Sequence, residues 1–433
     1  MTSIRPRYRP AARSGTPPNA FVGAVAPTRV TVGIAAVALL LIGARIVLPQ
    51  GLTVGTIVAI ALLPSWWPAL ASFRGARVFV AIGTLAVISG LWLTGFSAVD
   101  HRVSGVLLTS NSLLIIGIVA AVGVVVWART VMGDHWVAAW FGLGLLFSIE
   151  PESTLFLSNP WKFGFSTGIT IVLLALAHRY GSRWVEILVL VALAGASAVT
   201  DARSSFAILL LSVVLTAWQL RPKRPSKRTS AVRFVAAMSV IGFVVYNVGQ
   251  TLLLDGYLGD AARERSVAQI DTSGSLILGG RPEFAATIAL MTGRPLGYGS
   301  GILPSTSDIT VAKTGMAAIG YQPNNGYVEI YMFGDRFELH SVFGDLWASF
   351  GIPGLLVAGI IVVLAIRGLS VLIPNNGASA VLIYLAVRGF WNLFFGPLYG
   401  SSSLLIPLMG LVLLRVTAPG ATPPLTAAAT RRR

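Results

Sequence analysis

The chain has 433 residues, of which 55% are hydrophobic and 11% are charged, and it contains no cysteine. An ordinary soluble domain is about 45–50% apolar and about 25% charged, so this composition indicates a multi-pass α-helical membrane protein. The net charge of +16 does not indicate nucleic-acid binding, because most basic residues lie in short connections between apolar runs, where they set orientation in a bilayer. The lack of cysteine excludes disulfides and thiolate metal sites.

A basic tail and a series of apolar runs define the predicted architecture. Residues 1–29 carry five arginines among Pro, Ser and Gly, which predicts a disordered cytoplasmic tail. No small-residue cleavage site follows the first apolar run, so we expect an uncleaved helix rather than a signal peptide. The apolar runs lie near 30–48, 52–72, 78–96, 106–127, 135–149, 163–178, 184–200, 204–220, 234–254, 351–366, 379–396 and 402–417.

The distribution of basic residues predicts an all-α integral membrane protein of about 12 transmembrane helices with both termini in the cytoplasm. Under this topology the inner connections hold most of the 32 basic residues, among them the cluster from Arg221 to Arg228. Helices 1–9 occupy 30–254, helices 10–12 occupy 341–417, and 418–433 is a cytoplasmic tail. Residues 255–340 then form one large outer loop with short amphipathic helices. No internal repeat is evident, which disfavours an inverted-repeat transporter.

Sidedness singles out His340, at the start of the stretch Glu338–Leu356, as the candidate catalytic imidazole. An imidazole titrates near neutral pH and accepts a proton from a hydroxyl, which suits general-base work at a membrane surface. The alternative is an interfacial histidine that only begins a helix. His135 and His178 fall at the inner face and cannot share a site with His340, whereas His101 lies in an outer loop beside Arg102 and is a further candidate.

The motif around this histidine resembles the signature of a known family. His340 and Ser341 are followed by nine residues and then by Gly351-Ile352-Pro353-Gly354. This pattern resembles the O-antigen ligase and O-antigen polymerase superfamily, bacterial membrane glycosyltransferases that use polyprenyl-diphosphate-linked glycans. The resemblance implies a catalytic His340, an active site on the extracytoplasmic side of the cytoplasmic (inner) membrane, and a glycan, lipid or protein acceptor. Ligases, polymerases and protein glycosyltransferases share the pattern, so the donor and acceptor stay open.

Arg203 begins a predicted helix after a tight outer turn. The positive-inside rule does not account for an arginine on the outer face of the membrane. The alternative is that Arg203 snorkels to the membrane surface and pairs with Asp201. The start of a helix also favours an anion. In the resembling family an essential arginine followed by small residues occupies this turn, and the resemblance therefore implies that Arg203 is catalytic and binds substrate.

Arg281 precedes Pro282 and a predicted amphipathic helix with Phe284, Ile288 and Met291 at helical spacing. With Arg294 and the following Pro-Leu-Gly-x-Gly segment, it resembles the outer-loop block of the same family. The resemblance implies a catalytic role for Arg281 and substrate binding by Arg281 and Arg294. The alternative for Arg281 is an outward-facing charge on an interfacial helix.

Arg388 lies near the middle of the eleventh predicted helix, where a charge costs roughly 2.5–3.5 kcal/mol on insertion scales. We therefore expect it to face the bundle or a wet cavity. A structural pair with Asn392 and a substrate-binding role are both consistent with this position.

No metal and no cofactor are expected. The first predicted outer loop, Leu48-Pro49-Gln50-Gly51, has no carboxylate, so guanidinium groups must neutralise the diphosphate of a donor. The predicted function is thus a metal-independent inverting glycosyltransferase. A transporter or flippase for a polyprenyl-linked lipid is the main alternative, and a non-catalytic membrane scaffold is a third.

Overall fold

A computed structural model of the chain describes residues 27–221, 231–257, 259–273 and 281–416. Most of the predicted N-terminal tail, the basic cluster that follows Arg221, and the predicted tail 418–433 lie outside these residues. Within them the fold is all-α, as predicted, and the only β-type pairing described consists of isolated bridges such as Val103 with Ile302.

Each of the twelve predicted apolar runs overlaps a described helix, and the run 52–72 overlaps two. In chain order the described helices are α1 (Arg29–Ala44), α2 (Val54–Ala61), α3 (Leu63–Ala69), α4 (Ala76–Ser97), α5 (Gly105–Val131), α6 (Asp134–Phe147), α7 (Thr154–Ser158), α8 (Ser166–Arg179), α9 (Arg183–Val199), α10 (Arg203–Trp218), α11 (Ala231–Leu254), α12 (Asp260–Ser273), α13 (Glu283–Gly293), α14 (Thr306–Ala317), α15 (Val342–Leu372), α16 (Ala380–Phe395) and α17 (Leu398–Val412). The helices α7, α12, α13 and α14 lie outside the predicted runs.

Five of the described helices are long and apolar enough to cross a membrane. They span Ala76–Ser97, Gly105–Val131, Trp161–Arg179, Ala231–Thr251 and Val342–Leu372. The pair Val54–Ala61 and Leu63–Ser72 would make a sixth as one span bent by 67°. Pro64 at the start of α3 accounts for the bend, since it cannot donate the backbone hydrogen bond that would continue α2. The fold is therefore that of a membrane protein.

The long helix α15 defines the two ends of the bundle. It begins beside His340 and ends at Leu372, and α16 returns antiparallel to it, because the ring of Phe394 lies 5.2 Å from that of Phe343. We call these the His340 end and the Leu372 end. α10 packs against α16 and runs from Arg203 at the His340 end to Gln219 at the Leu372 end, where Gln219 Nε2 donates to the Ala378 carbonyl at 3.0 Å.

Two helix boundaries differ from the sequence-based prediction. α15 begins at Val342, before the predicted 351, because Ser341 caps it by accepting from the Gly344 N–H at 2.9 Å, and Gly351 (φ 61°, ψ −144°) breaks it internally. α17 ends at Val412 rather than near 417. The Leu413 carbonyl turns out of the helix and accepts from Arg129 Nη1 at 2.8 Å.

A second hydrophobic core lies at the His340 end, apart from the core of the bundle. It collects α13, α14 and the residues before α15, and it is completed by Trp347 and Ala348 of α15 itself. The segment 295–302 passes between α4 and α15, since Tyr298 N donates to the Ala348 carbonyl at 2.9 Å and Ser300 N donates to the Gly90 carbonyl at 3.2 Å. The bundle thus holds residues 281–340 against the start of α15.

Candidate active site at the His340 end

His340 occupies a strained turn directly before α15. Its φ is 52°, in the left-handed region that non-glycine residues rarely adopt, and its ring is partly exposed. The ring Nδ1 lies 3.1 Å from the backbone carbonyl of Glu338. Because a carbonyl only accepts, Nδ1 must carry the proton of this hydrogen bond, and in the neutral ring Nε2 holds the lone pair. His340 therefore has the tautomer of a base that acts through Nε2.

Two residues at the start of α15 hold this turn. Ser341 is its N-cap, and Asp345, which is 5% exposed, accepts from the backbone N–H of Leu339 at 2.6 Å and from that of Leu398 at 2.7 Å. One carboxyl group thus ties the residue before His340 to the first residue of α17. Sequence reasoning did not single out Asp345. An acidic residue in the first turn of a helix is a recognisable N-terminal signal, but its two remote partners are set by tertiary structure.

Tyr327 connects the start of α13 with His340. Its ring centroid lies 6.1 Å from that of His340, and its hydroxyl donates to Oε1 of Glu283. Burial, together with the neighbouring Glu283 carboxylate, raises the pKa of Tyr327, while the charge of Arg281 opposes this shift. The segment that begins at the predicted residue Arg281 is therefore held beside His340 through a tyrosine that no sequence motif had indicated.

Glu283 is the second unpredicted member of this group. It is 5% exposed, and its Oε2 has no hydrogen-bond partner among the described residues. The helix α13 that it begins buries Ala286 and Leu290, whereas Phe284 and Ile288 of the predicted apolar face are exposed. That exposed face is the one available to lipid.

The glycines of the motif have packing roles. A Cβ on Gly351 would lie 2.4 Å from the carbonyl oxygen of Leu296, and one on Gly354 would lie 2.0 Å from that of Leu346. A Cβ on Gly297 would in turn lie 2.3 Å from the Trp347 carbonyl oxygen. The backbone of the Pro-Leu-Gly-x-Gly segment, residues 295–299, therefore packs directly against the backbone of the first half of α15. This close packing positions the start of α15.

Arg203 and Arg388 lie at the first turn of α10, at the same end of the bundle. Arg203 is the first residue of α10, with Nη1 3.2 Å from Ser266 Oγ and Nε 3.9 Å from Asp201 Oδ1. Arg388 Nη1 donates to Ser205 Oγ at 3.3 Å, and Ser205, rather than Asn392, is its described partner. The Nε of Arg388 is buried without a partner among the described residues. Two guanidinium groups thus meet the turn of α10 where backbone N–H groups are unsatisfied.

Arg294 has a structural partner. Its Nη1 lies 2.7 Å from Asp100 Oδ2, and its Nη2 lies 3.2 Å from Asp100 Oδ1 and 2.9 Å from Ser97 Oγ. This bidentate ion pair connects the residue after α13 to the turn after α4. His101 joins the same cluster, with Nδ1 2.7 Å from Asp100 and Nε2 3.0 Å from Asp308. The predicted candidates Arg294 and His101 therefore contact these acidic residues rather than Tyr327.

Among the described residues, no group of three or more His, Cys, Asp and Glu side chains could hold a metal ion. The other two histidines, His135 and His178, lie at the Leu372 end with ring centroids 6.4 Å apart. No protein-family model, curated protein or solved structure matches this chain.

Proposed function

We propose that this protein is a metal-independent, inverting glycosyltransferase similar to O-antigen ligases and polymerases. It moves a glycan from a polyprenyl-diphosphate carrier to an acceptor hydroxyl on the outer face of the cytoplasmic membrane. The observation that carries the proposal is the arrangement around Tyr327, whose ring lies beside that of His340 and whose hydroxyl donates to Glu283, two residues after Arg281. A cation on the segment that meets a free imidazole lone pair provides what displacement of a diphosphate by a hydroxyl requires.

His340 acts on the acceptor. The hydroxyl donates to Nε2, the proton passes to the ring, and the acceptor oxygen forms a bond to the anomeric carbon as the carbon–oxygen bond to the diphosphate breaks. A single displacement of this kind inverts the anomeric centre. The hydrogen bond of Nδ1 to the Glu338 carbonyl supports this role, because it directs the lone pair to Nε2 and stabilises the imidazolium that forms.

The arginines act on the donor. Arg281 and Arg203 bind the diphosphate, and Arg388, which donates to Ser205 in the first turn of α10, adds positive charge. Their planar forks match phosphate oxygens and keep their charge at any relevant pH, so the departing polyprenyl diphosphate leaves as a neutralised anion. The start of α10 adds its own backbone N–H groups to the same anion.

The proposal includes a topology of about twelve spans with both termini cytoplasmic and the His340 end outside. Because the chain has no cysteine, single substitutions report sidedness directly. In intact cells a membrane-impermeant thiol reagent should label Thr310→Cys from outside and should label Ser226→Cys only after the membrane is opened. Labelling of both positions from one side would overturn the topology.

The activity itself is tested with purified protein in detergent and a fluorescent polyprenyl-diphosphate glycan. The transferase releases free polyprenyl diphosphate when an acceptor is present. A flippase would move the same lipid across a proteoliposome membrane without releasing it, and a scaffold would do neither. Intact donor after prolonged incubation with acceptor would refute the proposed reaction.

A further inference from the structure

A cavity of about 240 Å³ opens at the Leu372 end of the bundle, far from the site described above. The part of α15 that follows the break at Gly351, up to Leu372, alone extends about 30 Å at 1.5 Å per residue. Half of the cavity wall is apolar, formed mainly by leucines of α15, α16 and α17. Its polar lining consists of Arg129, Asp134, His135, His178, Ser379 and Arg415.

Arg129 and Asp134 form an ion pair in this wall, so their charges compensate each other. Arg129 Nε and Nη2 lie 3.0 Å from the two oxygens of Asp134, and Nη1 donates to the carbonyls of Gly410 and Leu413 at 2.7 and 2.8 Å. All three nitrogens of this buried guanidinium are therefore engaged. Among the described lining residues Asp134 carries the only carboxylate, so no uncompensated negative charge faces the cavity.

The other polar side chains of the lining retain unused hydrogen-bonding groups. His178 Nδ1 donates to Glu186 at 2.5 Å, so its Nε2 lies outside that pair and donates only when the ring is protonated. The His135 ring has no hydrogen-bond partner among the described residues. Arg415 donates from Nη2 to the Arg129 carbonyl and stacks over Phe73 at 5.6 Å, which leaves further N–H groups of its fork. Two imidazoles and one guanidinium thus face a space that nothing in the described chain fills.

The backbone adds to this positive field. The lining residues Asp134 and His135 are the first two residues of α6, and Ser379 is the N-cap of α16. The first N–H groups of a helix lack partners within that helix, and the helix dipole places positive potential there. Two helix N-termini and three cationic or protonatable side chains therefore converge on one small cavity.

We infer that this cavity is a second binding site, which takes a small phosphate-bearing anion: inorganic phosphate or diphosphate, or the phosphate of an anionic lipid head group. Its volume lies below the roughly 300–1,000 Å³ of pockets for drug-sized ligands, so it admits a phosphate group but not a whole glycolipid. The apolar half of the wall suits the glycerol and acyl portion of a lipid. The inference is independent of the proposed transferase activity.

Protection of a single cysteine tests this site directly. Ser379→Cys places the only thiol of the chain in the cavity wall, and Ser72→Cys places it on an exposed surface at the same end. With inorganic diphosphate in detergent, or phosphatidylglycerol in nanodiscs, at about ten times the dissociation constant, alkylation of Ser379→Cys should slow about tenfold. Alkylation of Ser72→Cys should not change, and phosphatidylcholine nanodiscs should give no protection.

The two ligands used in this experiment distinguish a soluble phosphate from a lipid head group. Protection by diphosphate identifies a soluble phosphate ligand, whereas protection by phosphatidylglycerol alone identifies a lipid head group. In either case Arg415→Gln and His135→Ala, added to the Ser379→Cys variant, should abolish protection. The control substitution Arg77→Gln, which replaces an exposed arginine at the same end, should leave protection unchanged. The inference fails if neither ligand protects Ser379→Cys, or if protection persists without Arg415 and His135. Because diphosphate at the His340 end cannot shield position 379, this readout is unaffected by the outcome of the transferase assay.

Discussion

Asp345 accepts a hydrogen bond from the backbone N–H of Leu339 at 2.6 Å and thereby holds the residue that precedes His340. Its second oxygen holds Leu398, at the start of α17. A buried carboxyl group with two backbone donors fixes a φ of 52° at His340 that an unsupported chain would not keep. The position of the imidazole that we propose as the general base therefore depends on the buried Asp345 carboxyl group.

Asp345→Asn should separate this positioning role from catalysis. An amide offers one acceptor oxygen, so one of the two backbone N–H groups loses its partner, at a cost of about 1–3 kcal/mol. We expect a lower midpoint of thermal unfolding and a reduced turnover number with little change in donor affinity. Unfolding in detergent and the release assay measure both quantities. Asp335→Asn, at a side chain that is 75% exposed, is the matched control and should behave as wild type.

Arg203→Lys and Arg281→Lys test how the diphosphate is bound. Lysine keeps the charge but cannot bind two phosphate oxygens with a planar fork. Release of polyprenyl diphosphate should fall at least about tenfold in each variant, equivalent to about 1.4 kcal/mol of transition-state stabilisation. Arg336→Lys, which pairs with Asp335 at the surface, should retain activity. Full activity of both lysine variants would leave these arginines with no role beyond snorkelling.

His340→Ala should abolish transfer and spare donor binding, because in the proposed mechanism the arginines, and not the ring, bind the diphosphate. Equilibrium binding of the fluorescent donor and single-turnover release measure the two steps separately. A second variant, Tyr327→Phe, keeps the ring beside His340 but removes the hydroxyl bonded to Glu283, and it should lower the rate without abolishing it. Loss of donor binding in His340→Ala would instead assign the ring to the diphosphate.

Gly351→Ala should destabilise the protein strongly. Its backbone conformation is strained for any other residue, and the new Cβ would lie 2.4 Å from the Leu296 carbonyl oxygen. These two effects together cost about 2–6 kcal/mol. Gly359→Ala, in the same helix with no atom within 4 Å of its Cβ, should be neutral or gain about 0.5–1 kcal/mol. Thermal unfolding of the pair, compared in one detergent, gives the difference.

Asp100 should make the protein sensitive to acid. Hydrogen bonds from Arg294 and His101 hold the pKa of the Asp100 carboxyl well below its usual range. The pKa of this carboxyl is lower in the folded protein than in the unfolded chain. The stabilisation is therefore present above about pH 4 and is lost as the pH falls toward the pKa of the folded protein. The unfolding midpoint of wild type should therefore drop more between neutral pH and about pH 3 than that of Asp100→Asn. Equal drops would show that the ion pair contributes nothing to stability.

The amino-acid sequence predicted those structural features that depend on local residue patterns. Apolar length predicted the helices, although α15 begins at Val342, before the apolar run that starts near 351. Arg281 and His340 were both singled out, but Tyr327, which lies beside His340 and donates to Glu283, is 13 residues before His340 in a segment with no periodic pattern. The partners of Arg294 and Asp345 likewise come from remote segments, and no local pattern contains that information.

The second core has a consequence for biosynthesis. Its members from α13 to Leu339 leave the ribosome before Trp347 and Ala348, which complete it from within α15. Residues 281–340 therefore cannot finish folding until α15 has been synthesised and has docked against α4. A fragment of residues 281–340 would lack those two side chains and expose the apolar surface that they cover, so this segment completes its folding together with α15.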